Sequence, residues 1–157
     1  MSNSKPSKSS FLTLQELERQ GKYVFHGSGK RLEQLEPRQA FTTVDDQSVE
    51  DGVPAIHASE LVDYAIFMAL IDVNFKSGCR ASCSYDNEKL LFGANALCLS
   101  LITESTVGFV HVFHKSKFEH RIGIEWRCYS VIEPIAIVEV VLDDFKHQIT
   151  IMPESSS

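Results

Sequence analysis

The chain has 157 residues, 15 of them basic and 21 acidic, for a formal net charge of −6. That length suits one domain around one core, and the acidic balance argues against nucleic acid or an anionic membrane as the main partner. No apolar run reaches the roughly 18 residues a membrane span needs, and the N-terminus carries no apolar stretch of the secretory kind.

Residues 1–10 are rich in Ser and Lys and read as a disordered arm. Thr13 and Glu16 fit a capping box, so a short helix is expected over residues 13–20, stopped by Gly21, with Leu14 and Leu17 facing the core. The stretch that follows, 23–29, alternates as a strand does. Tyr23 and Phe25 share one face, Val24 and His26 the other. Gly27 and Gly29 allow positive φ and let something lie close to the main chain. An imidazole at a strand end beside bare backbone and the Ser28 hydroxyl is a plausible small-ligand site.

The leucines at 32 and 35 suggest a helical turn that ends before Pro37. Residues 42–53 are polar and acidic and read as an exposed loop. Residues 53–58 form a short strand, and Ser59 is a good N-cap for a helix from Glu60 to about Asp72. Apolar side chains cover most of that helix's circumference, which makes it the central buried helix. Residues 73–93 suggest irregular structure or short strands, with turns at 76–78 and 85–89. Residues 96–103 read as a strand and 104–106 as a hairpin turn. Residues 108–114 alternate again, with Phe109, His111 and Phe113 on one face. Strands at 124–131 and 135–142 follow, broken at Pro134, which cannot donate to a ladder. The ordered domain is expected over 11–150, with a loose tail at 151–157. Strands concentrated in the C-terminal half point to an α+β fold rather than a doubly wound sheet.

Several chemistries find little support. Cys79 and Cys83 are spaced C-x3-C, and His111 and His114 H-x2-H. The histidines fall on opposite strand faces and no second cysteine pair follows, so these read as core thiols and surface imidazoles, with no metal. The four cysteines, Cys128 among them, read as reduced thiols of a cytoplasmic protein. Neither a nucleophile elbow nor a phosphate loop occurs. Glu125 is different: it enters a strand rich in aromatic and apolar residues, where a carboxylate is costly without a partner or a task.

Three segments occur in order over roughly residues 20–142: His26-Gly27-Ser28, then Ala55-Ile56-His57-Ala58 with Ala65 seven residues on, then Glu125-Trp126-x-x-Tyr129-x-Val131. Together they resemble the ADP-ribosyltransferase fold, on its poly-ADP-ribose polymerase branch. The resemblance implies two small antiparallel-rich sheets around an NAD cleft, with NAD as substrate. It implies that His26 donates to a ribose hydroxyl and that the Gly27 backbone holds the nicotinamide carboxamide beside Ser28. Glu125 would steady the positive charge that develops as nicotinamide leaves. Ile56 stands where the family has a stacking tyrosine, Tyr64 where it has a serine, and Phe67 where it has a second stacking aromatic. Arg38 is a candidate for the pyrophosphate. The implied activity is mono-ADP-ribosyl transfer to an acceptor, a protein before a nucleic acid. One alternative is an inactive module of this fold that binds NAD, ADP-ribose or a protein. Another is an RNA 2′-phosphotransferase-like enzyme, with His57 as its second histidine.

Overall fold

The computed structural model describes residues 10–45 and 47–153. The arm at 1–9 and the last residues of the tail lie outside the described residues. The fold is α+β, with three helices and two sheets.

Helix α1, Ser10–Arg19, starts one turn earlier than the sequence suggests. Thr13 is therefore inside the helix and caps nothing. The exposed amide of Phe11 instead donates to Asp144 Oδ1 at 3.1 Å, from the far end of the chain. Gly21, at φ +71°, closes the helix as expected.

Strand β1 is Tyr23–Ser28. No helical turn follows; Leu35 forms an isolated bridge with Ile132. The expected loop at 42–53 is a hairpin of β2, Arg38–Val44, and β3, Gln47–Ser59. Antiparallel backbone pairing from Arg38↔Ala55 to Val44↔Gln47 forms it, and a polar sequence carries no period that signals such pairing. Helix α2, Val62–Val73, is the central helix. Its cap differs from the expected one. Ser59 Oγ accepts from Leu61 N–H, while Val62 N–H donates to Glu18 Oε2 at 2.8 Å, so α1 supplies the N-terminal acceptor. Burial raises the Glu18 pKa, with that amide opposing.

Residues 81–94 form a second hairpin, β4, Ala81–Asp86, and β5, Lys89–Ala94, turning at Asn87 and Glu88, which both take positive φ. The expected strand at 96–103 is instead a short helix, α3, Ala96–Ser100. Asn95 decides this. Its Oδ1 accepts from the amides of Cys98 and Arg80, and its Nδ2 donates to the Gly78 carbonyl at 2.8 Å. Strand β6, Val107–His114, follows the alternation read from sequence. Then come β7, Glu119–Ile122, β8, Glu125–Cys128, and β9, Ala136–Val141. The last strand, β10, Ile149–Ile151, lies parallel to β5 and carries regular structure one residue into the expected tail.

The seven-stranded sheet runs β7-β8-β3-β1-β6-β9 with β2 on β3, and the smaller sheet runs β10-β5-β4. Helix α2 lies between them. Val62, Ala65, Ile66, Ala69 and Leu70 pack with Phe25, Val110 and Val112 of the large sheet. Phe67 and Ile71 pack with Phe92 and Ala94 of the small one. Contact on both sides explains why apolar residues encircle this helix. A third cluster, with Val24, Ile56, Phe113 and Cys128, fills the outer face of the large sheet.

Gly27 and Gly29 do not take positive φ. What lies close to their main chain is α2 itself. A Cβ on Gly27 would sit 2.0 Å from the Ala65 carbonyl oxygen, and one on Gly29 would sit 2.8 Å from Val73 Cα. Among the described residues no helix is long and apolar enough to cross a membrane, and all four cysteines are free thiols.

Candidate functional site

Strand β1 pairs with β6 along its whole length, but with β3 at one registered position, Phe25↔Ser59. Beyond Phe25 the two strands part. The seam opens a cleft of about 130 Å³ whose lining includes His26, Gly27, His57, Ser59, Tyr64 and Glu125. Residues 100 positions apart in sequence thus face one another because β8 pairs with β3 in the register Ser59↔Glu125 and His57↔Arg127.

His26 spans the seam where the ladder lapses. Its Nδ1 lies 2.7 Å from the His57 carbonyl oxygen. A carbonyl only accepts, so Nδ1 carries the proton, and in the neutral ring Nε2 is an acceptor. Burial lowers the His26 pKa and favours that neutral form. The expected polarity is thereby reversed: a ligand hydroxyl would donate to His26 rather than receive from it. Behind it, His111 is no surface imidazole; it is fully buried (0% exposed). It accepts from Leu32 N–H at 2.9 Å and contacts the His26 carbonyl at 3.3 Å. Burial pushes its pKa down to about 4. His114, three residues on, is exposed.

Glu125 sits at the mouth of β8. Its Oε2 meets Arg121 Nη1 at 3.0 Å and Arg127 Nε at 3.4 Å, while Oε1 lies 3.7 Å from His57 Nδ1. The Arg127 side chain is 5% exposed, and it runs against the backbone of Gly52, where a Cβ would come within 2.9 Å of its Nη1. The two carboxylate oxygens thus differ: one is anchored by guanidinium groups, the other turned toward the histidine.

The Tyr64 phenol has its pKa raised by burial, with Cys83 and Glu125 nearby adding to the shift. Tyr64 and Met68 also line an adjoining, largely apolar cavity of about 330 Å³, closed by Phe67, Ile71, Phe75 and Cys83. Burial lifts the Cys83 thiol to about 12, so it is no nucleophile there. Tyr64 and Met68 line both spaces, and the second alone has the volume of a small-ligand site, about 300–1,000 Å³.

Of the residues singled out from sequence, the cleft brings together His26, Gly27, Tyr64 and Glu125. Phe67 belongs to the neighbouring cavity and packs tilted against Phe92, with ring centroids 4.8 Å apart. Ile56 is not a pocket wall. It alternates with His57 along β3, so it points into the outer cluster with Val24 and Phe113. The Ser28 hydroxyl accepts from Lys30 N–H. Arg38 is exposed and lines a separate surface hollow with Leu32 and Glu36, although its charge reaches His26. Sequence reasoning did not assign Ser59, Arg121 or Arg127 to the site, and gave His57 only to an alternative. The i, i+2 spacing of 57 with 59 and of 125 with 127 carried that signal, since it puts each pair on one strand face. No family model matches this chain, and neither a curated protein nor a solved structure matches it.

Proposed function

We propose that this protein binds NAD in the cleft at the β1–β3 seam and transfers its ADP-ribose to an acceptor, releasing nicotinamide. One observation carries the reading: His26, Gly27, Tyr64 and Glu125, from three separate parts of the chain, line a single cleft. A carboxylate fixed by two arginines can face the positive charge that grows on ribose as the bond to nicotinamide breaks, and a fixed charge costs no reorganisation in doing so. A ribose hydroxyl can donate to His26 Nε2. The acceptor is a protein, and free thiols throughout the chain suit a cytoplasmic setting.

The same arginines favour a second reading. Two guanidinium groups on Oε2 offset the carboxylate's charge, which suits a module that holds NAD or ADP-ribose without cleaving it. Thermal shifts with NAD, ADP-ribose and nicotinamide, run beside a nicotinamide-release assay, separate the two. Under the enzyme reading, NAD at 100 times its dissociation constant stabilises the fold by about 2.7 kcal/mol. Glu125→Gln then keeps an NAD-dependent shift but loses at least about 10²-fold in release. A shift with no release by the wild type selects the module. Neither shift nor release overturns both.

A further inference from the structure

We infer that His57 is a general base for a hydroxyl acceptor, so that the site modifies hydroxyl groups rather than guanidinium or carboxylate groups; this rests on the NAD reading above. His57 stands on β3 directly opposite Arg127 of β8, and its ring, 34% exposed, lines the same cleft as Glu125. Its position is fixed at the backbone, where its carbonyl accepts the His26 Nδ1 proton. The 3.7 Å between Nδ1 and Glu125 Oε1 is too long for a hydrogen bond between them. It leaves Nδ1 as an acceptor that a hydroxyl's single proton can meet beside the carboxylate.

The division of labour at Glu125 points to the imidazole as proton acceptor. Oε2 is engaged by Arg121 and Arg127, and taking a proton there would break both pairs. Oε1 is left to face the positive charge that grows on ribose. Among the described residues, the charged and titratable groups around His57 include Glu125 and Arg127 from β8, Arg121 from β7 and His26 from β1, with the Tyr64 phenol near Glu125 from α2. A guanidinium acceptor would enter beside two arginines and be repelled. A carboxylate acceptor is already ionised at neutral pH and would leave a base idle. A hydroxyl needs its proton removed as it attacks, which is the service an imidazole provides.

In the step, the hydroxyl proton passes to His57 Nδ1 and the oxygen's electron pair forms the bond to ribose C1′. The C1′–N bond breaks, and its electron pair leaves with neutral nicotinamide. The test uses NAD with methanol as the hydroxyl probe and measures methyl ADP-ribose. Wild-type formation should fall toward acid with a single-proton limb. His57→Gln should keep the NAD thermal shift, lose the product by about 10²–10⁴-fold, lose the acidic limb, and recover in part when imidazole is added. A variant within about threefold of wild type, or an acidic limb that survives in it, overturns the inference. Wild type that shifts with NAD yet yields no methyl ADP-ribose also overturns it while leaving NAD binding intact. With neither shift nor release, the parent reading falls too.

Discussion

Gly27→Ala adds one carbon at the point where β1 meets α2. Built on the strand, that carbon lies 2.0 Å from the Ala65 carbonyl oxygen and 2.7 Å from the Ala69 nitrogen, where ordinary contact begins at 3.4 Å. Both neighbours are main-chain atoms and cannot swing aside. Strand and helix would have to separate by more than about 1 Å, whereas overpacking that side chains can absorb typically costs 1–3 kcal/mol. The separation also loosens Phe25, Ala65, Ala69 and Val110, all fully or almost fully buried. The expected loss is about 3 kcal/mol or more, which for a chain of this size lowers Tm by about 6–12 °C. Urea unfolding read at constant m-value measures it. Gly21→Ala is the comparison: it meets nothing within 4 Å and strains only a φ of +71°, so about 1 kcal/mol is expected. If the two variants lose the same amount, α2 does not rest on β1 at this residue. If Gly27→Ala keeps its stability and loses only its response to NAD, the glycine serves a ligand and not the helix.

Two further outcomes follow from buried polar groups. The His111 ring stays neutral in the fold, with its pKa near 4, while in the unfolded chain it takes up a proton near pH 6.5. Stability is therefore full above about pH 6.5 and drains as the pH falls toward 4, by up to about 3 kcal/mol. Urea midpoints across that window should fall less steeply for His111→Gln, and equal slopes would refute the assignment. Asn95→Ala strands the amides of Arg80 and Cys98 and the carbonyl of Gly78. A loss of about 3 kcal/mol is expected, and a loss below about 1 kcal/mol would mean water replaces the side chain.

The parts of the fold that were legible are those in which side-chain burial follows backbone period. The alternation at 108–114 and the apolar girth of 60–72 gave β6 and α2 to within two residues. The β2–β3 hairpin was not legible, because backbone pairing leaves no mark in a polar sequence. The apolar run at 96–103 fitted a strand or a helix equally well, and a single Asn at 95 settled it by offering the first turn an acceptor. Within the site, the strand that carries His26 and the one that opens at Glu125 could be read, although β1 runs on through Gly27 to Ser28. The partners of Glu125 could not, because they depend on which strands lie side by side. The glycines misled in an instructive way. Positive φ was expected at both and neither has it; the side a Cβ would occupy is filled by α2, while Gly27 still lines the cleft.

The seam between β1 and β3 also governs how the molecule can deform. A sheet fastened by one rung at its middle can flex there with the fewest hydrogen bonds broken. Two of the contacts that cross the line are the imidazole clasp from His26 and the oily pad of Val24, Ile56 and Phe113 beneath it. Lys115 crosses as well, pairing with Glu60 and lying over the Trp126 ring, so a seam with one backbone rung is held together by side chains.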